Sequence, residues 1–277
     1  MVPQTFLGRN GATRGAVGAA LQVKEAELRT ASRTRATAVV LTALDLEHES
    51  VARHLNKTEV VRRDGGTRFT IGGFRGSGIA WRVAVAEIGA GNVGAAIEAT
   101  RAIKQWTPDL LFFVGVAGAR KKDVPLGTLV VPNRVYFYEG GRADSDAFRA
   151  RPLSFPTPYA LEQLVRATRR KWRGPAVLLK PIAAGEAVVG SARSDLAQYL
   201  DEHFDDAAAV DMESAGMYEA AHRHVVPALS VRAISDRFDD KDPVHDAKFQ
   251  ATAIAGAARF ALEVLFNAAP ADLRRAR

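Results

Sequence analysis

Hydrophobic and polar positions alternate with two periods, one near two residues and one near 3.6, and the two take turns from residue 36 onward. Residues 37–44 (TAVVLTAL) form a β-branched apolar run that predicts a strand, and 46–55 repeats apolar residues at helical spacing. Residues 67–72 and 79–88 read as two strands around the glycine-rich turn GGFRGSG. Residues 92–106 are alanine-rich and helical in spacing until Pro108 ends the pattern. Residues 110–116 are apolar on both faces, as a central parallel strand should be. Strands are then expected at 126–131 and 134–138, an amphipathic helix at 158–172 and a strand at 176–182. The pattern closes with a helix at 194–203, a short strand at 207–210, a helix at 212–224, a strand at 227–233 and a long helix at 247–266.

Strand and helix alternating throughout predict an α/β fold: a single-domain three-layer sandwich, with a mixed central sheet and helices on both faces. Ligands of such sheets sit beyond the carboxyl ends of strands. The loops after Leu44, Ile88, Val114, Ala183, Val210 and Ile234 are therefore where chemistry is expected. No internal repeat is visible. The longest apolar run, 110–119, stops at Arg120 and is short of the ~18–20 residues that span a bilayer.

Charge changes this picture only at the ends. The 277 residues carry a formal charge of +7, and the sequence pI is about 9.8, values that by themselves suggest a polyanionic partner. Yet +4 falls within residues 1–35 and +2 within 268–277, so the body, 36–267, is close to neutral at +1. We therefore expect three segments: a basic N-terminal extension (1–35) with helical tendency over 19–30, the folded domain (36–267), and a basic C-terminal tail (268–277). Neither nucleic acid nor membrane is expected as a partner, and the cytoplasm is the expected location. The chain has no cysteine, which excludes disulfides, thiolate metal sites and a cysteine nucleophile.

Gly89, Gly91 and Gly94 match G-x-G-x-x-G between a strand and a helix, but the next strand ends in GVAG without the acidic residue that a dinucleotide site wants. There is no P-loop and no G-x-S-x-G elbow. His222 and His224 are two apart on a helix and point to different faces, so no metal and no cofactor are expected.

Three carboxylates each follow an apolar strand: Glu47 in TALDLE, Glu213 in VDMES and Asp236 in RAISD. Any one alone reads as a helix cap or first-turn residue. Three at one edge of a parallel sheet read as an acid, a base and a sugar-hydroxyl acceptor.

These segments, with EIGAGNVGAA, VGVAGA, LGTLVVP and AAGEAVVG, occur in an order that resembles the purine nucleoside phosphorylase / methylthioadenosine–S-adenosylhomocysteine nucleosidase superfamily. The resemblance covers about residues 37–266, and VDMESA and VRAISD are its most specific parts. It implies one α/β domain that cleaves the N-glycosidic bond of a small-molecule purine nucleoside, commonly as a homo-oligomer. It makes Asp236 the acid at N7 of the purine, Glu213 the acceptor of both ribose hydroxyls, Met212 a wall against the ribose, and Glu47 the base that activates water. Arg232 and Ser235 would shape the loop carrying Asp236. Val116, Ala117, Gly118 and Val188 fall in the substrate-binding set.

The resemblance leaves a fork between water and phosphate. Many bacterial phosphorylases have Arg and Ser where this chain has Phe113 and Val116, so an apolar pair near an anionic Glu47 favours hydrolysis. Nucleosidases usually have Ser at Val116 and an aromatic near Val188, so the stacking surface would have to come from Phe137, Tyr138 or Phe238. The insertion 139–158, with Arg142, Arg149 and Arg151, reads as a solvated loop. Should it reach phosphates, the substrate would be a nucleotide (AMP or ATP), as for related domains of bacterial defence systems. Phosphorolysis and a non-catalytic nucleoside-binding module are the remaining alternatives.

Overall fold

The computed structural model describes residues 34–63, 65–145, 148–187, 189–237 and 243–273. The expected N-terminal extension up to residue 33, Val188 and Phe238 lie outside them. In chain order the elements begin with β1 (Thr34–Thr42), α1 (Asp45–Ala52), β2 (Asn56–Arg62), β3 (Arg68–Arg75), β4 (Ile79–Glu87), α2 (Asn92–Trp106) and β5 (Leu110–Ala119). Next come β6 (Leu129–Val131), β7 (Arg134–Phe137), β8 (Gly141–Ala143), β9 (Phe148–Ala150), β10 (Leu153–Pro156) and α3 (Tyr159–Lys171). The chain closes with β11 (Val177–Leu179), β12 (Ile182–Ala184), α4 (Asp195–His203), β13 (Ala209–Asp211), α5 (Ser214–Arg223), β14 (Ala228–Arg237) and α6 (Pro243–Asn267).

The apolar strand β5 is the hub of the sheet. It pairs in parallel with β1 and β14, and its C-terminal end takes β13 antiparallel. The order runs β10-β7-β12-β13-β5-β1-β4-β3-β2, with β14 bridging β5 to β6 and β11. Because successive strand residues face opposite ways, β1 and β5 divide their side chains between two cores. Val40, Phe112 and Val114 pack with α3 and α6, whereas Leu41, Leu111 and Phe113 pack with α2 and α5. That is the expected three-layer mixed sandwich.

The differences from expectation have physical causes. Strand β2 escapes the pattern because it is an exposed polar edge, bulged at Lys57 with φ 53°. The strand expected at 176–182 is two strands. Pro181 has no N–H for a ladder, and the chain there leaves β6 to join β7 and β13. The insertion 139–158 folds into the β8–β9 hairpin and β10, with Arg142 and Arg149 both held by Asp144 at 2.7 Å. The ordered body also passes residue 267, since Ala268 and Leu273 pack into the core.

Among the described residues, one helix is long and apolar enough to bear on the membrane expectation. Phe249–Asn267 in α6 has the length and mean hydropathy (1.3) of a spanning helix. Its apolar side, with Ile254, Phe260, Val264 and Leu265, packs in the core beside β5 and β14, which accounts for that composition.

Candidate active site

Four segments deliver the site, and each does so through a local backbone device. Glu47 lies in the first turn of α1 and turns back on its own helix, so that Oε2 accepts the N–H groups of Ala43 (2.8 Å) and Leu44 (3.1 Å). Its Oε1 accepts the Val116 N–H from β5 at 2.8 Å. The carboxylate is buried, and burial pushes its pKa above the ordinary value, against the pull of Arg232 and of the three N–H donors. Gly115 makes this approach possible. A Cβ there would stand 2.4 Å from Arg232 Nη1 and 2.6 Å from Glu47 Oε1. Gly115→Ala is therefore expected to push both groups aside and to lower kcat/KM for any reaction run at this site by about 10²-fold, as ångström misplacements do, measured by steady-state kinetics.

The helix expected from 212 begins only at Ser214, because Asp211, Met212 and Glu213 are spent on the site. Glu213 Oε1 accepts the Gly91 N–H at 3.2 Å, and Oε2 accepts Arg232 Nη2 at 2.9 Å. Burial raises its pKa, Arg232 opposes, and repulsion from Asp211 and Glu47 adds to the rise. The sequence suggested that Arg232 shapes the Asp236 loop; the structure shows it as the partner of Asp211 and Glu213. It is fully buried in β14, with its guanidinium 4.2 Å from the Phe113 ring centre and Nε 2.7 Å from Asp211 Oδ2. Burial works against its charge, but Asp211, Glu213 and Glu47 together hold it protonated.

Beyond Arg232 the pairing of β14 with β5 slips between Ile234 and Asp236. The extra residue, Ser235, breaks the alternation of faces, and Ser235 and Asp236 both reach the same cavity. That cavity, about 240 Å³, is lined by every expected site residue within the described chain: Glu47, Val116, Ala117, Gly118, Met212, Glu213, Arg232, Ser235 and Asp236. Val188 lies outside the described residues, between Ala187 and Val189, which both line the cavity.

Sequence reasoning missed Asp211 and Gln250. Asp211 stood in plain view in VDMES but fell between the expected strand and helix and was given no role, whereas Gln250 comes from α6 with no motif to mark it. Neither Phe137 nor Tyr138 lines this cavity. Tyr138 is buried against Phe204, and its hydroxyl donates to Ala187 O at 3.3 Å, so it supports the cavity wall from behind. The glycine fingerprint is also explained. The α2 N-terminus that it opens is capped by this chain's own carboxylates, Glu213 on Gly91 N–H and Glu186 on the N–H groups of Asn92 (3.2 Å) and Val93 (3.1 Å). It is not left to a pyrophosphate.

The site thus presents four carboxylates, Glu47, Asp211, Glu213 and Asp236, and Arg232 as the one cation among the described lining residues. The sequence profile of the phosphorylase superfamily matches residues 37–265, and the chain belongs to that superfamily. Within it, the chain is 26% identical to a 5′-methylthioadenosine/S-adenosylhomocysteine nucleosidase of Maridesulfovibrio salexigens, covering 78% of this chain and 94% of the relative. The corresponding Staphylococcus haemolyticus nucleosidase is 27% identical over 64% of this chain and 78% of its own. The crystal structure of the Neisseria meningitidis nucleosidase with methylthio-immucillin-A superposes with a TM-score of 0.73 at 25% identity, covering 84% of this chain and 99% of that one. Futalosine hydrolase of Helicobacter pylori shares the fold, with a TM-score of 0.71 at 20% identity over 83% of this chain and 97% of its own.

Proposed function

We propose that this chain is a purine nucleosidase, an N-glycosyl hydrolase that uses water to separate base from ribose. The reading rests on Glu47, Glu213 and Asp236 converging on one cavity whose lining cation, Arg232, is already held by carboxylates. Asp236 donates a proton to N7 as the C1′–N9 bond breaks and its electron pair moves into the base. Glu213 accepts the ribose hydroxyls, and Met212 packs against the sugar. Water bonds to C1′ and passes its proton to Glu47, giving free base and ribose. General acid and general base steps of this kind contribute about 10²–10⁴ each.

Electrostatics separates this reading from its relatives. Phosphate, as co-substrate or as part of a nucleotide, would meet a described lining in which, with Asp236 protonated as the acid, Glu47, Asp211 and Glu213 face Arg232 alone. Like charges at 4 Å repel by about 4 kcal/mol at an effective dielectric near 20. The insertion arginines Arg142 and Arg149 are engaged with Asp144 rather than reaching for a ligand.

Chromatography of free base released from methylthioadenosine, S-adenosylhomocysteine, adenosine, inosine, AMP and ATP, with and without phosphate, tests the reading. Release from nucleosides without phosphate is expected. A strict phosphate requirement would overturn hydrolysis, and release from AMP or ATP alone would favour the nucleotide variant. The acid limb of the kcat/KM profile is expected above pH 4.5, the ordinary carboxylate value, because burial raises both Glu47 and Glu213. Activity falls as the pH drops through these raised values, since Glu47 must be ionised to take the proton. An acid limb at or below 4.5 would contradict Glu47 as the base. The resemblance adds a homo-oligomer to the proposal, which sedimentation velocity checks; a monomer would remove it.

A further inference from the structure

Behind the cavity runs a buried polar chain that the proposed reaction does not use. Asp211 accepts the Ser214 N–H at 3.2 Å on Oδ1 and the Ser214 hydroxyl on Oδ2. Ser214 Oγ meets Ser230 Oγ at 2.8 Å, and the Ser230 N–H donates to Tyr218 Oη at 3.4 Å. Tyr218 Oη lies 2.9 Å from Thr157 Oγ1, which donates to Pro132 O at 2.5 Å. All five residues are buried.

The two ends fix the direction of the hydroxyls. A carbonyl only accepts, so Thr157 spends its proton on Pro132 and takes one from Tyr218. An ionised carboxylate only accepts, so Ser214 donates to Asp211 and takes a proton from Ser230. Every hydroxyl proton therefore has an acceptor, and Asp211 is locked as an acceptor facing β14, where Arg232 Nε stands 2.7 Å away.

The consequence falls on Glu213. An unrestrained guanidinium prefers a carboxylate side-on, with two parallel N–H donors. Here the Asp211 carboxylate stands 2.7 Å from Nε as an ion pair without the alignment of a hydrogen bond, while Glu213 receives only Nη2, on Oε2, and its Oε1 carries only the Gly91 N–H. We propose that Asp211 is a positioning residue: as the counter-charge beside Arg232 Nε it keeps the guanidinium from turning side-on to Glu213, and so keeps acceptor capacity open on Glu213 for the ribose hydroxyls. This deepens the nucleosidase reading and rests on it. Ser214 and Ser230 act through Asp211, and Tyr218 and Thr157 anchor them to the chain before α3.

The charged groups facing Arg232 are Asp211 and Glu213 from the segment before α5 and Glu47 from α1. Neutralising Asp211 frees the guanidinium to swing onto Glu213. The loss should then appear selectively on substrates whose hydroxyls need that carboxylate.

The test compares 5′-methylthioadenosine with its 2′-deoxy analogue, or adenosine with 2′-deoxyadenosine if adenosine is cleaved faster. For Asp211→Asn, kcat/KM for the ribonucleoside should fall about tenfold more than for the deoxynucleoside, the scale of a lost charge-assisted hydrogen bond. Ser214→Ala keeps the carboxylate and should show the same selectivity at about threefold, one hydrogen bond further from the substrate. It also decides the matter if Asp211→Asn does not fold. Equal losses on both substrates would mark Asp211 as merely structural and overturn the inference while leaving the nucleosidase reading intact. Base release from neither ribonucleoside by the wild-type protein would overturn the reading and the inference together.

Discussion

Asp236→Asn is expected to reduce turnover of a purine nucleoside by about 10³–10⁴-fold, the upper range for a general acid, with little change in fold. The side chain stands at the end of β14, past the Ser235 slip, and is only half-buried, so an amide of equal size meets no packing penalty there. What the amide cannot do is deliver a proton to N7, and a purine that leaves as an anion is a poor leaving group. A riboside with an activated phenolic leaving group bypasses that need. It should be cleaved by Asp236→Asn at a rate near wild type while the nucleoside is not. Near-normal nucleoside turnover, with circular dichroism showing an intact fold, would refute Asp236 as the acid.

Glu47→Gln carries the second large effect, an expected loss of about 10²–10⁴-fold in kcat. Its amide can still accept from some of the three N–H groups that hold the carboxylate, so α1 keeps much of its cap. It can no longer take a proton from water. Because Asp236 and Glu213 remain, the variant should still bind nucleoside, which equilibrium dialysis measures without turnover. Binding retained and turnover lost is the expected outcome. Turnover within threefold of wild type would remove Glu47 from the mechanism.

How far the sequence alone could go is clearest at the site. Glu47, Glu213 and Asp236 were legible because each follows an apolar strand, and strand ends in such a sheet share one edge. The partners that hold them in place were not legible. The ion pairs of Arg232 to Asp211 and Glu213 join β14 to the segment before α5, and no local period encodes them. The need for glycine at 115 appears only when two side chains from other elements arrive beside it.

The same division holds for the fold. Helix α2 was legible to the residue because alanine spacing and Pro108 define it locally. Strand β2 was not, since a polar edge strand earns its place from β3 rather than from its own pattern.

The excess of carboxylates over Arg232 has one further meaning. Within its own described residues, the cavity is not electrically self-sufficient. On the proposed reaction path the sugar supplies a counter-charge only as the glycosidic bond opens and positive charge gathers at C1′. The pocket then stabilises that fleeting cation more than it does the neutral nucleoside that entered, and this difference is what speeds the reaction.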